Sequence, residues 1–213
     1  MDILFSFIGI ISLSPLLLPI VIVLRLTAEG KVFYLQERVG FMNKKFKIYK
    51  FATMLQDSLN MGTGSITLKD DFRVTSVGKY LRLTKINEIP QLLNILKGDI
   101  SIVGPRPVLE SDWLIYPDSV RYRIYNVKPG LTGIGSIVFR DEESIVSAVK
   151  DIDPHEFYAR VIAPYKGDLD IWYQKKMSFF LDLKLVFMTG WVVLFPNSRL
   201  YESWFKDLPK LKL

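Results

Sequence analysis

Ile3-Leu-Phe-Ser-Phe-Ile-Gly-Ile-Ile-Ser-Leu-Ser-Pro-Leu-Leu-Leu-Pro-Ile-Val-Ile-Val-Leu24 runs for twenty-two residues without a charge. At 1.5 Å per residue, a helix of this length covers a bilayer core of roughly 30 Å. A cleaved signal peptide fits poorly, because Asp2 stands where a positive n-region belongs and no small-residue cleavage site follows Leu24. Ser14 and Pro15 lie at the midpoint, and Pro19 lies one turn later. Proline lacks an N–H and clashes with the preceding turn, so a kink is expected there, with the Ser14 hydroxyl placed to satisfy a freed carbonyl. Two geometries follow. One is a kinked span; the other is a re-entrant hairpin whose arms, Ile3–Ser14 and Pro15–Leu24, each reach about 15–18 Å into the membrane. On the residues alone the span takes slight precedence, since Pro-kinked spans are common.

The chain of 213 residues suits one compact domain with an appendage, and at 49% hydrophobic, 13% aromatic and 23% charged it is neither disordered nor of low complexity. It contains no cysteine, which excludes disulfides, iron–sulfur clusters, Cys-ligated zinc and thiol catalysis. A single histidine, His155, excludes multi-histidine metal sites. The available chemistry is that of carboxylates, Lys, Arg, hydroxyls and a hard, oxygen-bound metal.

The formal charge of +6 is concentrated in one block. Residues 31–106 carry thirteen Lys/Arg against six Asp/Glu, whereas residues 107–213 carry fourteen of each. A basic block directly after an apolar segment suits a surface facing anionic headgroups or a polyphosphate ligand. Solvated lysines on ordinary helices account for the same block about equally well.

Lys31-Val-Phe-Tyr-Leu-Gln and Lys45-Phe-Lys-Ile-Tyr-Lys-Phe alternate as half-buried strands do, around a turn at Gly40-Phe-Met-Asn. Arg73 to Arg82 opens a basic helical stretch. A helix is expected from Glu88 to Lys97, capped by Asn87, with Pro90 in its first turn and Gly98 as its stop. Ile100-Ser-Ile-Val reads as a short buried strand entering Gly104-Pro-Arg-Pro. Further on, Lys128-Pro-Gly is a turn and Glu142 to Lys150 a helix. Leu185 to Phe195 suits either an interfacial segment or a buried core helix.

Gly62-Thr-Gly lacks the lysine and the strand–helix context of a phosphate loop. What remains, within twenty-eight residues, is Lys79, Arg82 and Lys85, then Asn87-Glu88, then Lys97, Asp99 and Arg106. A helix N-terminus near Glu88 would offer free N–H groups to phosphate. Arg106 lies between Pro105 and Pro107 on a stiff backbone, ready to clamp a diphosphate. Glu88 and Asp99 are the carboxylates that would hold Mg²⁺ together with substrate phosphates. Each feature has a plain alternative: Asn87 as a helix cap, Arg106 paired to a carboxylate, Asp99 closing the turn after Gly98.

Five blocks together resemble the bacterial sugar transferases, the monotopic polyprenol-phosphate phosphoglycosyl transferases. They are Gln36-Glu-Arg-Val-Gly, Phe46-Lys-Ile-Tyr-Lys-Phe, Arg73-Val-Thr-Ser-Val-Gly-Lys-Tyr-Leu-Arg, Glu88-Ile-Pro-Gln-Leu-Leu-Asn-Ile-Leu-Lys-Gly-Asp and Val103-Gly-Pro-Arg-Pro. The resemblance extends through Lys128-Pro-Gly-Leu-Thr-Gly. It implies an α+β, helix-rich monotopic membrane protein with a small β-hairpin or sheet, residues 1–26 forming a re-entrant helix broken at Ser14-Pro15 and residues 27–213 a cytoplasmic catalytic domain with interfacial helices. That geometry displaces the span favoured above. It also implies transfer of a sugar-1-phosphate from a UDP-sugar to undecaprenyl phosphate with release of UMP, assisted by Mg²⁺, at the cytoplasmic face of the bacterial inner membrane. The implied partners are the two substrates and inner-membrane lipid. A homo-oligomer is compatible with the sequence, and no nucleic-acid motif is present.

In the family an Asp-Glu pair supplies the nucleophile that attacks the sugar-bearing phosphorus. Here the pair reads Asn87-Glu88, and a carboxamide is a far weaker nucleophile. Three explanations compete. Asn87 is an engineered replacement; or a natural branch uses another group, such as Glu88 or the lipid phosphate itself; or the chain is a catalytically silent homologue that binds UDP-sugar or a partner. The residues read as functional are therefore Asn87 and Glu88 as catalytic positions, Arg82, Arg106, Lys79 and Lys85 as phosphate contacts, and Glu88 and Asp99 as metal ligands.

Overall fold

The computed structural model describes residues 2–210; Met1 and residues 211–213, the outer ends of the two expected segments, lie outside it. The chain forms two compact units: Met1–Glu37 with Lys47–Asp99, and Arg38–Phe46 with Ile100–Leu213.

In the first unit, α1 (Asp2–Leu26) is one continuous helix of 25 residues with Pro15 and Pro19 inside it. Its length of about 37 Å follows from the helical rise. No interruption divides it at Ser14-Pro15. The local compensation expected there is present, however: Pro15 cannot donate to the carbonyl four residues back, and the Ser14 hydroxyl donates to that same Ile11 oxygen at 2.8 Å. The helix is apolar on all sides between Asp2 and Arg25. Leu24 is buried with Phe51 and Leu81, while Ile3, Phe7, Ile11, Leu18 and Ile22 are exposed. By length and composition it is the one helix among the described residues that suits a membrane crossing. Farther toward its start it packs on α3 (Gln91–Lys97), with Gly9 facing Leu92.

The expected hairpin forms from β1 (Phe33–Val39) and β2 (Lys45–Phe51). α2 (Ser76–Leu83) is capped by Thr75, whose hydroxyl accepts from the Gly78 N–H. Gly98 ends α3 in the left-handed conformation, φ 81°, where a Cβ would be strained. Ahead of α2, the 58–66 loop is held by Arg73, which is fully buried. Its guanidinium donates to the carbonyls of Ser58, Met61, Gly64 and Ile66 and pairs with Asp71 at 2.6 Å.

The second unit is built on β3 (Ser101–Val103), which pairs in parallel with β4 (Gly130–Thr132), Ser101 opposite Gly130 and Val103 opposite Thr132. The sequence marked β4 only as the sequel to a turn. Its glycine is needed for the approach, because a Cβ on Gly130 would fall 2.1 Å from the Gly104 nitrogen. Short helices α4 (Glu110–Ile115), α5 (Asp118–Arg121), α6 (Ile134–Val138), α7 (Glu142–Ala148) and α8 (Pro154–Phe157) lead through a π-helical turn, Tyr158–Ile162, into α9 (Ala163–Lys176). α10 (Phe179–Leu194) and α11 (Leu200–Trp204) close the unit. α10 answers both readings of its sequence: Leu185, Met188 and Val192 are buried in the core with Ile134 and Trp172, whereas Phe180, Leu183, Phe187 and Leu194 are exposed.

Candidate active site

Between α2 and α3 the chain makes a tight 3₁₀ turn, Ile86–Glu88, entered through Lys85 at φ 60°, ψ 10°. That left-handed conformation is sparsely populated by lysine. The turn draws Asn87 and Glu88 into the interior, where they are 6% and 9% exposed. Asn87 therefore does not cap the following helix. Pro90 occupies that place, and helical backbone angles continue through Ile89 and Pro90 into α3. The free N–H cluster expected at a helix start is also partly spent, since the Glu88 and Ile89 N–H groups donate to the carbonyls of Lys85 and Ile86, and those of Leu92 and Leu93 to Ile89 and Pro90.

Glu88 is met by Lys50 of β2, Nζ to Oε1 3.8 Å, with side chains 17% and 12% exposed. Lys50 was not singled out from the sequence. The signal was its place on β2 two residues from the buried Ile48, a lysine on the inward face of a strand. Two further atoms of this site are sealed from solvent without a hydrogen-bond partner, Asn87 Oδ1 and Gln91 Nε2. Each such orphan costs about 1–3 kcal/mol in an unliganded protein. Gln91, 1% exposed, is likewise a residue the sequence reading passed over.

The remaining expected residues divide. Lys79 lies at the surface, paired with Asp70 at 3.1 Å, both well exposed. Arg82 reaches back from α2, its Nη1 3.8 Å from Met54 Sδ. Asp99 accepts from Asn94 Nδ2 at 3.0 Å beyond the C-terminal end of α3. Glu88 precedes that helix, so seven helical residues, about 10 Å of rise, lie between the two carboxylates' positions. No cluster of three or more His, Cys, Asp or Glu suited to a metal occurs among the described residues.

Arg106 belongs to the second unit, in the Gly104-Pro-Arg-Pro turn after β3. Tyr125, buried at 1% exposure, holds this turn from both sides of Pro107. Its hydroxyl donates to the Arg106 carbonyl at 2.8 Å and accepts from the Val108 N–H at 3.1 Å. Other ionisable groups share the interior of this unit. Burial, reinforced by Arg106, lowers the pKa of Arg38, and burial raises that of Asp112 against the pull of Arg38. Lys166 pairs with Glu142 at 2.5 Å and lies over the rings of Phe139 and Tyr158. One turn on, burial pushes the Asp170 carboxyl up to about 7 despite the nearby Lys166.

The family model described as "Bacterial sugar transferase" matches residues 1–196. The chain belongs to this family. Among relatives, it is 39% identical over 176 residues to the uncharacterized sugar transferase EpsL of Bacillus subtilis, covering 83% of this sugar transferase and 76% of EpsL. It is 36% identical to the UDP-N-acetylgalactosamine-undecaprenyl-phosphate N-acetylgalactosaminephosphotransferase of Aeromonas hydrophila, across 89% of this chain and 41% of that protein. It is 34% identical to the UDP-glucose:undecaprenyl-phosphate glucose-1-phosphate transferase of Klebsiella pneumoniae, across 88% and 38% respectively. This sugar transferase thus spans about two fifths of the latter two relatives and three quarters of the first.

Proposed function

We propose that this sugar transferase moves a sugar-1-phosphate from a UDP-sugar to undecaprenyl phosphate, releasing UMP, at the cytoplasmic face of the inner membrane. The observation that carries this reading is the buried Lys50–Glu88 pair beside Asn87, formed by two of the five family blocks. The names of the Aeromonas and Klebsiella relatives support the substrate classes.

With a carboxamide at residue 87, an oxygen of the lipid phosphate attacks the sugar-bearing phosphorus directly. A new P–O bond forms between the lipid phosphate and the sugar-bearing phosphorus as that phosphorus loses its bond to the bridging oxygen, which leaves with the electron pair as part of UMP. Such a transfer needs mainly positioning and charge neutralisation. Arg82 and Lys85 supply positive charge to phosphate oxygens. Glu88, the carboxylate of the buried pair, fits Mg²⁺, which ordinarily takes one or two carboxylates plus substrate phosphates; Asp99, at the other end of α3, does not fit with it. When bound, the ion would neutralise charge on the phosphates. α1 anchors the protein in the membrane, bending at Ser14-Pro15 so that both its ends stay on the cytosolic side. The relief of the Ile11 carbonyl by Ser14 supports a bend at this point.

Asn87 itself favours a second reading, a catalytically silent homologue that binds nucleotide sugar or a partner. UMP release by the purified full chain, across UDP-N-acetylgalactosamine, UDP-glucose and UDP-galactose, separates the two. The transferase releases UMP from one of them only when undecaprenyl phosphate is present. The silent homologue binds without release above background at any protein concentration.

A further inference from the structure

Asn87 Oδ1 and Gln91 Nε2 form a complementary set: an acceptor and a donor, both fully enclosed and both without a partner. Their residues are 6% and 1% exposed, so bulk water does not satisfy them. Because helical backbone angles run from Ile89 through Pro90 into α3, positions 87 and 91 stand about one turn apart along the chain. The chemistry of the pair selects what fills it. A phosphate oxygen would accept from Gln91 and leave Asn87 unsatisfied; an ammonium group would donate to Asn87 and leave Gln91 unsatisfied. A hydroxyl does both at once.

We propose that Asn87 and Gln91 form a hydroxyl-binding slot for the sugar of the nucleotide sugar, in which Gln91 Nε2–H donates to a sugar hydroxyl oxygen and that hydroxyl donates its proton to Asn87 Oδ1. The assignment rests on the transferase reading above. It gives the carboxamide at residue 87 a positive role, since the neutral side chain binds where a carboxylate would attack. It also makes Gln91 a residue that touches substrate and contributes to the choice of sugar. Glu88, between them in sequence and paired with Lys50, then lies next to the bound sugar phosphate.

The test compares Gln91→Leu with the unaltered full-length protein in lipid nanodiscs, titrating UDP and then UDP-N-acetylgalactosamine, UDP-glucose and UDP-galactose by calorimetry. Leucine removes the donor at similar volume. The slot predicts that Gln91→Leu weakens the best-bound nucleotide sugar by about tenfold or more while leaving UDP binding unchanged. Unchanged affinity for the nucleotide sugar overturns the proposal and means that a buried water fills the slot. An equal loss for UDP overturns it as well, because the residue would then read the nucleotide. A second measurement holds even if the variant fails to fold. The chain has four glutamines, so ¹⁵N-glutamine labelling of the unaltered protein gives four side-chain amide signals. That of Gln91 moves on addition of the nucleotide sugar but not of UDP if the slot is real, and moves with neither or with both if it is not. Failure of the unaltered protein to bind any of the three sugars overturns the transferase reading and this proposal together, whereas an unaffected Gln91→Leu overturns the slot alone.

Discussion

Lys50 Nζ stands 3.8 Å from Glu88 Oε1, and more than four fifths of each side chain is withdrawn from solvent. A pair this deep is retained only where its charges are compensated, since removing one partner strands the other. Lys50→Met should therefore destabilise the protein by about 1–3 kcal/mol in urea unfolding. Glu88→Gln, neutral and of the same shape, should cost less stability yet lower UMP release at least about a hundredfold. Equal loss of activity and stability in both variants would make the pair purely structural.

Asp170 makes a second prediction, through pH. Its carboxyl is raised from 3.8 to about 7 by burial, so the folded state holds the proton more tightly than the unfolded chain. The stability it contributes is present below about pH 3.8 and is lost as pH rises toward 7. The displacement corresponds to at most about 4 kcal/mol. Asp170→Asn should raise stability relative to the unaltered protein at pH 8, and the gain should shrink toward zero near pH 4. Denaturant midpoints at the two pH values decide this, and a gain that is the same at both would contradict it.

Arg73 ties the 58–66 loop through four carbonyls and Asp71. Lysine keeps the charge but not the planar fork, so Arg73→Lys should cost about 3 kcal/mol, in the range for a broken buried charge network. Limited proteolysis should then cut within residues 58–66 far faster than in the unaltered chain.

The absence of cysteine makes the topology of α1 directly measurable. Single cysteines at Asp2 and at Lys206, labelled in spheroplasts and in inverted vesicles with an impermeant maleimide, should both react from the cytosolic side if the helix re-enters. Labelling of Asp2→Cys from the opposite face would establish a crossing.

Much of the first unit could be read from residue pattern, because its elements are local. Period-two alternation gave the hairpin, Gly98 gave the end of α3, and Pro15 gave both the lost donor and the hydroxyl that replaces it. The misreadings have a common cause in tertiary context. Asn87 is a good helix cap by type, but the left-handed Lys85 starts a tighter turn and moves the cap to Pro90. The β3–β4 pairing escaped notice because each strand is three residues long and the partners are nearly thirty apart. Lys50, Gln91 and Tyr125 looked like a strand lysine, a helix glutamine and a core tyrosine. Only burial, the 3.8 Å approach, the orphaned amide and the bridge across Pro107 distinguish them.

The claim on which the account turns is that residues 87 and 88 form the centre of a working transfer site despite the missing carboxylate. UMP release by the unaltered chain and by Asn87→Asp, side by side with undecaprenyl phosphate and the three nucleotide sugars, tests it most directly. The account predicts lipid-dependent release by the unaltered chain, and a change in rate for Asn87→Asp with the fold intact. No release by the unaltered chain, while it remains folded and lipid-bound, would contradict it.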